Sequence, residues 1–176
     1  MKRACCLLLL AGLLLPARAD DKGTVVRLDD LKSTAPASWK ELPARGMRFA
    51  QFRLPRAEGD KADADLIVFK GLGGSAKQNV ERWMAQFQAP EGKKLSSKVT
   101  EMKVGGQPAT YLDISGTYLD RPPFAPDGKT TKRPDYRMLA IQLNLPKNVY
   151  HIKLIGPAKT VAKHKKEFDA WLGAFK

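Results

Sequence analysis

The sequence predicts a single α/β domain of the α+β kind: an antiparallel β-sheet meander with two main helices, near 75–88 and 157–175, packed on it. Two stretches carry apolar residues at the 3.6-residue helical period, and four late segments alternate apolar and polar residues in the manner of strands. The turns Gly105-Gly106 and Pro146-Lys147-Asn148 are too short for parallel crossovers, so the strands they join are expected to be antiparallel hairpins. With 176 residues, 43% of them hydrophobic, the chain can bury one sizeable core and is neither disordered nor collagenous in composition. No run approaches the roughly 18 consecutive apolar residues of a spanning helix.

The first nineteen residues read as an export signal. Lys2 and Arg3 precede the apolar run Cys5 to Leu15, and Pro16-Ala17-Arg18-Ala19 offers the small-x-small pattern of a cleavage site. The cysteines stand at the start of that run, not after it, so lipidation is not expected. Cleavage near Ala19 would leave a periplasmic or secreted chain starting at Asp20, with 28 bases against 18 acids, a charge of +10. Both cysteines, Cys5 and Cys6, would leave with the signal, which excludes disulfides, thiol catalysis and thiolate metal sites.

Residues 20–46 read as an N-terminal arm leading into a globular domain at 47–176, with one apolar patch at Thr24 to Leu28. Met47 to Leu54 mixes aromatic and basic residues and is read as a strand ended by Pro55. The charged turn Arg56 to Ala64 leads to Leu66-Ile67-Val68-Phe69, a short buried strand. Ser75 and Gln78 then have the spacing of a capping box, and Ala76, Val80, Trp83, Met84 and Phe87 share one helical face. The expected strands that follow are Leu95 to Val104, Ala109 to Leu119, Tyr136 to Leu145 and Val149 to Ile155. Their alternation suits a sheet with one face covered and the other wetter. The last helix opens at Gly156-Pro157 and buries Val161, Phe168, Trp171, Leu172 and Phe175. The long irregular segment Asp120 to Asp135 holds four prolines.

The pieces FRLPRAEGD (52–60), DLIVFKGLGGSAKQNVERWMAQFQ (65–88), DISGTY (113–118), YRMLA (136–140) and IKLIGPAKTV (152–161) resemble a group of uncharacterised exported bacterial proteins. With the order of elements, they are similar to the Mog1/PsbP-like α/β/α sandwich. That resemblance implies a fold and a compartment; the fold hosts unrelated roles, so it transfers no activity.

Gly71-Leu72-Gly73-Gly74-Ser75-Ala76 fits a relaxed dinucleotide fingerprint, but Leu95 to Lys98 stands where a second strand ending in an acid is required. A P-loop is excluded because Lys77 lies between Ala76 and Gln78. The glycines, Ser75 and the flanking Lys70 and Lys77 still define a candidate anion site at a helix N-terminus, against the simpler reading of a tight, capped connection. Asp60, Asp63 and Asp65 lack the glycine and glutamate of a calcium loop and read as a solvated acidic turn. His151 and His164, 13 residues apart, do not suggest zinc, and no metal or cofactor is expected. Trp39, Trp83 and Trp171 read as core, while Tyr111, Tyr118, Tyr136 or Phe124 would suit an aromatic ligand platform.

Two function classes follow. The leading one is an exported, non-catalytic binding or accessory module for an unidentified protein or a polyanionic envelope or extracellular partner, without sequence-specific nucleic-acid recognition. Its basic surface would comprise Lys159, Lys163 and Lys166 on the last helix and Arg121, Lys129, Lys132 and Arg133 in the 120–135 segment. The alternative is a hydrolase of an envelope or extracellular substrate built on Asp113, Ser115 and His151, whose side chains would have to converge.

Overall fold

The computed structural model of the chain describes residues 23–121 and 129–176. The expected signal, its cleavage site and Phe124 lie outside them. Strands β1 (Val25–Leu28) and β2 (Leu31–Thr34) form a small antiparallel hairpin. Next come β3 (Lys40–Leu42), β4 (Arg48–Leu54), β5 (Ala64–Lys70), helix α1 (Ala76–Met84) and the short β6 (Phe87–Gln88). The meander is β7 (Ser96–Val104), β8 (Gln107–Asp120), β9 (Thr131–Asn144) and β10 (Val149–Pro157), and helix α2 (Ala158–Gly173) closes the chain.

All pairings in the main sheet are antiparallel, in the order β3-β4-β5-β10-β9-β8-β6, and β7 pairs with the remaining length of β8. The hairpin joining β7 to β8 turns on Gly105 and Gly106, with φ of 56° and 78°, a conformation that glycine reaches at little cost. The βαβ unit of a dinucleotide fold does not form, because β5 leads through α1 into a sheet without parallel neighbours.

The helices lie on opposite faces. α2 buries Val161, Phe168, Trp171 and Leu172 against Leu139, Ile141, Ile152, Leu154, Leu66 and Phe52, and the 23–46 segment adds Val26, Leu28, Ala35 and Trp39. Burial of each large side chain there contributes roughly 1.5–3 kcal/mol before its ordering entropy is counted. On the other face α1 sets Val80 and Trp83 on Leu112, Ile114, Met138 and Ala140. The wetter face expected from the alternation is therefore half roofed. α1 is nine residues long, and the side chains of Ile67 and Phe69 beyond it stay only partly buried.

Two boundaries differ from the sequence reading. The first helix ends at Met84, not near 88, with Ala85 as its cap. Phe87 keeps its place in the apolar cluster as a strand residue opposite Tyr118, and Gln86 O accepts from Leu119 N at 2.8 Å. Pairing with β8 satisfies backbone groups that a further helical turn would have kept internal. The irregular 120–135 segment is also shorter than expected: β8 runs through Asp120 and β9 begins at Thr131. Pro134 is accommodated at a break in register between Gly116/Tyr136 and Tyr118/Arg133, with Asp135 at φ 55°. A bulge there leaves the proline, which has no N–H, outside the regular ladder.

The acidic turn is not simply solvated. Asp60 accepts from Thr160 N at 2.8 Å and Thr160 Oγ1 at 2.6 Å. It thereby caps α2, whose own N-cap, Pro157, offers no side-chain bond. Asp63 accepts from Arg56 N, and Asp65 pairs with Arg53.

Candidate functional site

The turn into α1 has the expected capping box. Ser75 Oγ accepts from Gln78 N at 3.2 Å, and Gln78 Oε1 accepts from Ser75 N at 2.9 Å. The preceding carbonyls are held from inside the fold: Asn79 Nδ2 donates to Gly73 O, Gly74 O and Ser75 O, and at 2.7 Å to Gln142 Oε1. Asn79 and Gln142 are both buried, so the α1 connection is pinned to β9 by a side-chain amide pair. Lys77 is exposed beside the turn. Lys70 is engaged elsewhere, 3.8 Å from Asp29 Oδ1 and over the rings of Phe49 and Tyr150. The two lysines thus do not flank a common anion, and a cap occupies part of the helix terminus.

Asp113, Ser115 and His151 are divided by the sheet. In the aligned ladders Asp113 stands opposite Leu139, and Leu139 opposite Leu154, which belongs to the α2 core. His151 stands opposite Gln142 and Phe69 on the α1 side, its ring 5.3 Å from that of Trp83. Since successive residues of a strand point to opposite faces, Asp113 and Ser115 face α2 and His151 faces α1. The Asp113 carboxylate accepts from Arg137 in a fork, at 2.8 and 2.6 Å. The hydrolytic triad required convergence, and these three side chains do not converge.

His151 is 1% exposed, and neither ring nitrogen has a partner among the described residues. Burial, with Lys153 and Arg82 adding like charge, holds its pKa down to about 4. Lys153, on the same strand face, lies 5.3 Å from the centroid of Trp83, and burial and Arg82 hold it down to about 8. The sequence reading did not single out Lys153. Its signal was its place in the alternation beside His151, under a helix carrying Trp83 and Arg82. His164, by contrast, packs as expected: its ring nitrogens meet Pro55 O at 2.8 Å and Glu167 Oε2 at 3.2 Å.

The basic candidates separate into two groups. Lys159, Lys163 and Lys166 are all exposed on the outer side of α2, with Lys163 Nζ donating to Arg56 O. At the far end of the β8–β9 hairpin, Arg121 Nε donates to Thr130 Oγ1, and Arg133 pairs with Asp120 at 2.8 Å. Lys129 and Lys132 are exposed nearby. Of the proposed aromatic platform, Tyr118 and Tyr136 stack 6.1 Å apart at 12°. Tyr111 is committed to Asp169, its hydroxyl donating at 3.0 Å, and burial raises its pKa.

No described helix is long and apolar enough to cross a membrane. No family model matches the sequence, and no curated protein matches it. Among solved structures, LpqN, involved in cell envelope biogenesis of Mycobacterium tuberculosis, is similar with a TM-score of 0.55 and 10% identity, over 87% of this chain and 88% of its own. Cyanobacterial PsbP (CyanoP) from Synechocystis gives a TM-score of 0.50 at 13% identity, over 94% and 98%. PA94, a protein of unknown function from Pseudomonas aeruginosa, gives 0.50 at 16%, over 85% and 93%. At such identities the similarity is one of architecture. The chain has the PsbP-like fold, an antiparallel sheet between two helical layers.

Proposed function

We propose that this chain is an exported, non-catalytic accessory module, comprising a signal at 1–19, an N-terminal arm and entry segment of the domain at 20–46 and the rest of that α/β domain at 47–176, that engages an anionic envelope or extracellular partner. The observation that carries the reading is the α2 lysine stripe. Lys159, Lys163 and Lys166 recur at helical spacing on the exposed side of a helix whose other side is fixed in the core. A row of cations on a chain of charge +13, or +10 once the expected signal is removed, attracts polyanions through a field that does not depend on a specific sequence. The architecture shared with LpqN, a protein involved in cell envelope biogenesis, agrees with such a setting.

Heparin resin tests this. The protein should be retained at low salt and released as salt rises, since exposed charges are screened within about 8 Å at physiological ionic strength. Replacing Lys159, Lys163 and Lys166 together by glutamine should move elution to lower salt, with stability changed by no more than about 0.5 kcal/mol per site. Elution of the triple variant with the parent would show that the stripe is only a solvated face.

A further inference from the structure

On the α1 side of the sheet, away from the lysine stripe, lies a cavity of about 410 Å³ lined by Ala85, Gln86, Tyr118, Leu119, Arg121 and Lys153. Its volume falls within the range of small-molecule sites, about 300–1,000 Å³. Its polar groups can all donate: an ammonium, a guanidinium, a phenol and an amide. None of the lining residues is acidic. The acid closest in sequence, Asp120, is held by Arg133.

The Lys153 ammonium makes no hydrogen bond or ion pair among the described residues and lies over the face of Trp83. Beneath that ring His151 is buried with both nitrogens unpartnered, and Arg82 adds further positive charge to the neighbourhood. A partly buried ammonium among like charges is unfavourable unless a counter-ion completes it. Tyr118 supplies a flat wall, backed by its stacking on Tyr136 and its contact with Phe87, and Ala85 and Leu119 are apolar.

We propose that this cavity binds a small aromatic oxyanion, the acidic group held by Lys153 and Arg121 and the ring lying against Tyr118. The site is independent of polyanion binding by α2. Because burial and Arg82 hold Lys153 down to about 8, a bound anion would complete its protonation. Binding near pH 8 therefore draws a proton from solution.

Titration calorimetry with phenyl phosphate at pH 8, in two buffers of different ionisation enthalpy, reads both properties on the full chain. Saturable binding with proton uptake is expected. Phenol, the uncharged analogue, should bind at least about tenfold more weakly, and Lys153→Met and Arg121→Gln should each cost about tenfold in affinity. The Lys159/Lys163/Lys166 glutamine variant should bind like the parent. The exposed Arg121 provides the decisive variant if Lys153→Met does not fold. No saturation up to about 10 mM would overturn the proposal, as would unchanged affinity in both cavity variants or binding without proton uptake. Loss of binding in the α2 triple variant alone would place phenyl phosphate on the lysine stripe, overturning the cavity assignment while leaving polyanion binding in force.

Discussion

Lowering the pH from 7 to 5 should destabilise this protein through His151, and the cost can be worked from the fold. The folded-state pKa is about 4, against 6.5 for a free histidine, so the unfolded chain binds the proton more readily. For a base depressed in this way, the stabilisation is complete above 6.5 and drains as pH falls towards 4. Integrated across that window, the loss is about 2 kcal/mol at pH 5 and about 3 kcal/mol below pH 4. Burial is the largest cause, followed by Lys153 on the same strand and Arg82 on α1. The clean comparison is His151→Leu, which has a similar apolar bulk against Trp83 and no titrating group. Urea midpoints of parent and variant at pH 7 and pH 5 cancel all other carboxylates and histidines, which are common to both. The parent should lose about 2 kcal/mol more than the variant between the two pH values. At pH 7 the variant should be no less stable, because it removes two buried nitrogens without partners. Parallel losses would show that His151 is solvated in the native state and refute the reasoning.

Gly116→Ala should destabilise by about 1–3 kcal/mol, read from urea midpoints, because a Cβ there would stand 2.6 Å from Gln88 O, a backbone atom of β6. A neutral result would mean that β6 is not held against β8. Asp60→Ala should lower stability by about 1–2 kcal/mol in thermal or urea unfolding, since Thr160 N then opens α2 without an acceptor. Asp60→Asn should recover part of that loss through its remaining oxygen, and equal behaviour of the two variants would remove the tertiary cap from the account.

Local rules are sufficient where a segment's fate is decided within a few residues. The Ser75–Gln78 box and the apolar spacing of Val80 and Trp83 locate the start of α1, and Gly105-Gly106 locates the β7–β8 turn. They fail where a distant strand competes for the same backbone groups. Phe87 lies on the helical stripe by spacing, yet β8 claims it. Thr131 to Asp135 looks irregular because of Pro134, yet a bulge admits it to β9. Asp60 and Thr160 are 100 residues apart, so a cap built from both is invisible to any local pattern. The candidate site shows the same division. Alternation alone places His151 opposite in sense to Leu154 on its own strand; only the β8–β9–β10 register puts Asp113 on the α2 side with Leu154.

The two faces of the sheet divide the demands on the chain. On the α2 side a sixteen-residue helix and the 23–46 segment cover the sheet with a large apolar cluster, and the buried polar residues Ser33, Thr160 and His164 there are all hydrogen-bonded. That layer supplies the hydrophobic stabilisation. On the α1 side a nine-residue helix carries the buried Asn79 and leaves room for Gln142, His151 and Lys153 beneath or beside it. Polar groups so placed cost stability unless paired. Asn79 and Gln142 are paired, and they fix the turn into α1. His151 and Lys153 are not, and their cost is tolerable because the opposite layer carries the fold. Substitutions at His151 and Lys153 should therefore leave the protein folded, whereas a cavity at Phe168 or Leu172, each fully buried, would remove stabilisation that the α1 side cannot replace.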